Sequence, residues 1–163
     1  MNAKKIPPKI LVVEDSDSKW NEIDILLNEL CGENKEIVRA KTMVDAETLA
    51  ISCEWTLLVL DISLDITASA TGPKHGGYDS LGGLRVANKM FLLEKEAPTI
   101  IVTAFDAFPT GKLQRGRSVI LGLEDVREKA SSLLGESFLG CVRYGDPEWK
   151  EAFNQLAEGV IGK

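Results

Sequence analysis

The sequence lacks an excess of positive charge. Its 19 lysines and arginines face 25 aspartates and glutamates, giving a net charge of -6 and a pI near 4.9. Binding nucleic acid means neutralising phosphates, so an acidic chain argues against a direct nucleic-acid partner. No apolar run approaches the length of a membrane span. The opening stretch, MNAKKIPPKILVVED, has no apolar secretory segment before a cleavage site. Both absences point to a cytoplasmic protein without a membrane partner. Paired cysteines are also missing. Cys31, Cys53 and Cys141 are odd in number and scattered within or beside apolar runs, as expected of reduced core thiols. His75 is the only histidine, so no histidine metal cluster can form, and its Gly-rich surroundings read as a solvated loop. The first strand-to-helix turn has no G-x-G-x-x-G, which excludes the usual dinucleotide cradle.

What is present is a regular alternation. The chain has 163 residues, 44% hydrophobic and 27% charged, enough for one domain with a real core. KILVV (9–13), EIVRA (36–40), TLLVL (56–60), TIIV (99–102) and FLGCVRY (138–144) read as strands. Helical spacing follows each of them. Ile23, Leu26, Leu27 and Leu30 share one face, with Ser16 or Asp17 as cap. Thr42 opens a second helix, and Leu84, Ala87 and Phe91 mark a third that ends near Glu96. Leu123, Val126, Ala130, Leu133 and Leu134 mark a fourth, and Asp146-Pro147 signals the start of a fifth. Strands apolar on both faces belong in a parallel sheet covered on both sides. The expected fold is therefore α/β, a (βα)5 doubly wound sheet within a single domain spanning 1–163. Two connections, near 62–82 and 104–117, are long enough to be insertions.

The strand ends carry the chemistry. Glu14 and Asp15 follow the first strand directly, Asp61 follows the third and Thr103 the fourth. In an open sheet of this kind, residues beyond the carboxyl ends of the strands meet at one rim. Adjacent carboxylates there repel and lose hydration, and a bound cation is the simplest compensation.

The motifs VVED (12–15), VLD (59–61) and VTA (102–104), in this order on a five-fold βα pattern, resemble the receiver domain of two-component response regulators. The resemblance covers nearly the whole chain and implies a flavodoxin-like receiver architecture. It implies Asp61 as phospho-acceptor, with Mg2+ held by Glu14, Asp15, Asp61 and the backbone carbonyl of Ser63. It implies Thr103 as a hydrogen-bond donor to a phosphoryl oxygen, with the small Ala104 leaving room beside it. A carboxylate can attack phosphorus, and Mg2+ prefers such hard oxygen ligands. Two positions depart from the pattern. Arg143 stands where the family has lysine, with a different reach and donor geometry. Gly140 stands where receivers commonly carry an aromatic residue.

The implied function is a stand-alone receiver that signals through protein contacts. Its expected partners are a sensor histidine kinase or phosphotransfer protein and a separate effector. Self-phosphorylation and slow autodephosphorylation would be its only chemistry. The alternative is a pseudo-receiver that binds partners without phosphorylation. A Mg-dependent phosphohydrolase is a distant third, because Asp61 is followed by Ile62 and Ser63 rather than by an aspartate two residues on. TGKL (110–113) is no phosphate-binding loop, since no glycine stands at its first glycine position and Leu113 replaces its hydroxyl residue. Lys112, Arg115 and Arg117 form a small basic cluster, read as a solvated loop.

Overall fold

The computed structural model describes residues 5–65, 78–79 and 81–161. Along the chain lie β1 (Lys9–Val13), α1 (Asp17–Cys31), β2 (Glu36–Ala40), α2 (Met43–Ala50) and β3 (Leu57–Leu60). Two short strands follow, β4 (Leu64–Asp65) and β5 (Tyr78–Asp79), then α3 (Gly82–Leu92) and β6 (Thr99–Thr103). The chain ends with β7 (Ala107–Gln114), β8 (Arg117–Gly122), α4 (Leu123–Leu134), β9 (Phe138–Arg143) and α5 (Trp149–Ile161). Five strands form one parallel sheet in the order β2-β1-β3-β6-β9. This is the doubly wound order expected from the sequence.

Alternation along each strand divides the core. Ile10, Val12, Val59 and Val102 face one side, where Leu27 of α1 and Phe153 of α5 cover them. Leu11, Val13, Leu58 and Leu60 face the other, beneath Met43 and Ala46 of α2 and Val86 and Met90 of α3. With both faces buried, a strand reads as an unbroken apolar run, which explains LLVL in β3. Ser16 caps α1 by accepting from the Lys19 N–H, and Thr42 caps α2 by accepting from the Asp45 N–H.

Several expectations need correction. The span 104–117 is no loop: most of it lies in an antiparallel hairpin, β7–β8, which continues to Gly122. Its turn puts Arg115 and Gly116 at φ 51° and 75°, the left-handed pair of a two-residue hairpin turn. Phe108 and Leu121 pack the base of the hairpin against Ile62, Ile101 and Val126, while Leu113 and Ile120 stay exposed. Helix α3 ends at Leu92 rather than near Glu96, and Phe91 lies outside the core. Helix α5 starts at Trp149, whose N–H bonds the Asp146 carbonyl, so Asp146 and Pro147 form the turn before it.

Most of the 62–82 connection, including His75, lies outside the described residues. Its two ends are described. The Gly83 N–H donates to the Ile62 carbonyl at 2.8 Å, and β4 pairs with β5 just beyond. A Cβ on Gly83 would lie 2.3 Å from the Asp61 carbonyl oxygen, so only glycine lets α3 start this close to β3.

Gly140 has a similar packing role. A Cβ there would come within 2.8 Å of Leu156 Cδ1, because α5 rests this leucine directly on β9. Leucine thus fills the space beside the position where the resemblance expects an aromatic ring.

Candidate functional site

Glu14 and Asp61 leave from neighbouring strand ends, since Val13 and Leu60 are paired across β1 and β3. The Glu14 N–H bonds the Ala40 carbonyl and the Asp61 N–H bonds the Val13 carbonyl, which fixes both departures. This is the point where strand order reverses, the usual place for a site in an open α/β sheet. Oxygens of Glu14, Asp15 and Asp61 lie within 4.8 Å of one another. Glu14 is 1% exposed and Asp61 5%. The structure therefore brings together the three carboxylates picked out in the sequence, and Ser63 is buried in the wall of the same cleft.

Their compensation is in part internal. The Lys19 ammonium lies 2.7 Å from Glu14 Oε2 and 3.4 Å from Asp61 Oδ2, and the residue is only 3% exposed. Sequence reasoning missed this lysine. A signal was present: Lys19 precedes Ile23 by four residues and so continues the buried stripe of α1 into its first turn. A lysine on that stripe needs a partner, and the acids four and five residues upstream supply one.

Arg39 braces the same loop from β2. Its Nε–H donates to the Glu14 carbonyl at 3.0 Å, its Nη1 pairs with Asp17 at 2.8 Å, and its guanidinium lies 5.3 Å from the Trp20 ring centre. Trp20 is thereby coupled to the acidic loop.

The electrostatics are set by burial. Desolvation, then the charge of Asp61, raise the pKa of Glu14 from 4.5 to about 7 against the pull of Lys19. Asp61 is also raised, first by burial, with Lys19 opposing and Asp15 adding to the rise. Tyr144, at the cleft wall, is pushed up to about 12, chiefly by its hydrogen bond to the Glu22 carboxylate.

The donor set fits a divalent cation. Asp15 Oδ2 and Asp61 Oδ1 are buried without a hydrogen-bond partner. Unpartnered carboxylate oxygens inside a cleft are costly, and an oxygen-seeking ion would satisfy both. Beside them is a cavity of about 230 Å³, bounded on its far side by Ala104, Phe105 and Tyr144.

The β6–β9 side of the rim is different. Thr103 is fully buried, and its Oγ1 accepts the Phe105 N–H at 3.3 Å. Arg143 is paired with Thr103 in backbone register, but its side chain is 43% exposed. It lies 3.4 Å from Asp106 and 3.9 Å from Asp146 and does not line the cavity. The structure thus leaves Arg143 outside the cleft, because two nearby aspartates hold its guanidinium at the surface.

No protein-family model and no curated protein matches the sequence. Solved structures do resemble the fold. The signal receiver domain of a LuxO repressor protein from Vibrio parahaemolyticus aligns at TM-score 0.62 and 17% identity, over 96% of this chain and 91% of that one. A CheY-like response regulator receiver domain from Methanospirillum hungatei aligns at 0.59 and 15%, over 96% and 95%. The fold is that of the response regulator receiver domains. A third neighbour is the receiver domain of a sensor histidine kinase from Pseudomonas aeruginosa, at TM-score 0.59 and 16% identity over 96% and 99%. That protein was solved with a magnesium ion coordinated in its active-site cleft. In this receiver fold, Glu14, Asp15 and Asp61 occupy the rim at the β1–β3 strand ends. Among the described residues, no helix is long and apolar enough to cross a membrane.

Proposed function

We propose that this chain is a phospho-accepting receiver, a cytoplasmic signalling domain rather than a turnover enzyme. The observation that carries the reading is the buried convergence of Glu14, Asp15 and Asp61, with unpartnered oxygens on Asp15 and Asp61. Asp61 is the acceptor. Its carboxylate oxygen attacks the phosphorus of a phosphohistidine on a sensor kinase or phosphotransfer protein. The P–N bond breaks, the imidazole leaves with the electron pair, and an aspartyl phosphate remains. Glu14, Asp15, Asp61 and the Ser63 carbonyl would hold Mg2+, which supplies charge neutralisation to the transfer when bound. Strand β3, buried on both faces, fixes Asp61 in place. Thr103 keeps a hydroxyl proton to donate to a phosphoryl oxygen, since its Oγ1 serves only as acceptor to the Phe105 N–H. Output passes by contact to a separate effector.

A second reading has an observation of its own. Lys19 already pairs with Glu14 and Asp61, while Arg143 is held outside the cleft. A pseudo-receiver that binds partners without phosphorylation would look like this. One experiment separates the two: incubation with Mg2+ and acetyl phosphate, followed by intact mass. The receiver gains one phosphate, and Asp61→Asn does not. A wild type that stays unmodified with every phosphodonor, while folded, supports the pseudo-receiver instead. An adduct that persists on Asp61→Asn removes Asp61 from the mechanism.

A further inference from the structure

We propose that the Lys19 ammonium is the resident cation of the acidic cleft, and that a divalent ion enters by displacing it. The inference rests on the cleft being the divalent-cation site of the proposed receiver.

The oxygen inventory carries the argument. Both oxygens of Glu14 are engaged: Oε1 accepts the Ser16 N–H at 3.0 Å, and Oε2 holds Lys19 at 2.7 Å. Asp61 is divided, with Oδ2 at 3.4 Å from Lys19 and Oδ1 without a partner. Asp15 Oδ2 is also without one. A divalent ion can therefore take Asp15 and Asp61 at once, but it gains Glu14 only where the ammonium now sits. Sharing that oxygen would set a dication and an ammonium side by side in a buried site, where charges are poorly screened.

Two features favour departure of the lysine over its sharing the site. Lys19 lies in the first turn of α1, three residues after the cap Ser16. The amino end of a helix repels a cation, so only the carboxylates keep the ammonium there. The side chain also has somewhere to go. The cavity of about 230 Å³ opens between it and Ala104, and the ammonium is already 5.7 Å from the Tyr144 ring centre. An aromatic face can hold a displaced ammonium, and lysine's flexible stem allows the move.

The test uses the full chain with Mg2+ alone. Calorimetric titration should give Lys19→Met about tenfold or more tighter Mg2+ binding than wild type, because no internal cation competes. In parallel, wild-type protein carrying 13C-labelled lysine is titrated by NMR. The Lys19 Cε–Hε signal, assigned by its absence from Lys19→Met, should shift and saturate together with the calorimetric binding. Equal or weaker Mg2+ affinity in Lys19→Met overturns the proposal. So does Mg2+ saturation of the wild type with the Lys19 signal unmoved, a measurement that stands even if the variant fails to fold. If Mg2+ does not bind the wild type at all, this inference and the metal part of the receiver reading fall together. If Mg2+ binds and the phosphate adduct forms while the Lys19 signal stays still, only this inference falls.

Discussion

On the β1–β3 side of the rim, Lys19 is buried at ion-pair distance from both Glu14 and Asp61. On the β6–β9 side, Arg143 is partly in solvent between Asp106 and Asp146. Both sides place a basic residue near a strand end, yet only one delivers its charge to the cleft. The difference lies in what surrounds each cation. Lys19 is almost wholly shielded from solvent and meets the carboxylates of Glu14 and Asp61, with the Tyr144 ring beyond them. Arg143 has two exposed aspartates within reach and no wall to turn it inward. A charge is therefore worth what its enclosure makes of it, and its place in the sequence pattern is a poor guide to that.

The largest expected effect breaks the buried side. Gly83→Ala drives a methyl group to 2.3 Å from the Asp61 carbonyl oxygen, a backbone atom that cannot yield. Urea unfolding should show a loss of about 3 kcal/mol. A loss well below about 1 kcal/mol would mean that α3 does not clamp this strand end.

An effect of at most the same size comes from pH. The folded-state pKa of Glu14 is raised from 4.5 to about 7, so its stabilising contribution is full below about 4.5 and is lost as pH rises through 7. Asp61 is raised too and acts in the same direction. Protein in chelator should thus lose up to about 3 kcal/mol between pH 5 and 8. Glu14→Gln should flatten most of that slope in thermal unfolding. A wild type equally stable across the range would show that the Lys19 pair outweighs burial.

Smaller changes probe the other side. Gly140→Ala meets the end of a flexible leucine and also puts a side chain on backbone at φ 158°, which L residues rarely adopt. It should cost about 2 kcal/mol, with only the leucine's share recovered by Leu156→Val in the double variant. Smallest of all is Arg143→Ala. Its ion pairs are solvent-exposed, so stability should fall by less than about 1 kcal/mol. Mg2+ affinity by calorimetry should stay within about twofold of wild type. A tenfold change there would erase the contrast between the two sides.

Much of this architecture was legible in the sequence because burial on both faces writes itself as LLVL and ILVV, and period-3.6 stripes mark the helices. The three acids were legible because each directly follows such a run. The hairpin was not. Pro109, Gly111 and Gly116 read as loop punctuation, and its strands alternate weakly because only the base, at Phe108 and Leu121, packs on the core. The turn signal was there in Arg115-Gly116. The fate of Arg143 was invisible for another reason. Strand position sets where a side chain begins, whereas its endpoint depends on Asp106, 37 residues back along the chain and brought beside it only by folding.

The closure at Ile62 and Gly83 also bears on engineering. The two ends of this connection meet at a hydrogen-bonded neck, continued by the β4–β5 pair. Loop-closure entropy grows only slowly with length, so between two ends already held together a long insert costs little more than a short one. A fluorescent protein spliced between Asp65 and Tyr78 would leave the sheet intact. It would hang from a junction that begins one residue after Asp61. Any change at that carboxylate would reach the reporter through a few backbone bonds, which makes this neck the natural splice point for a sensor.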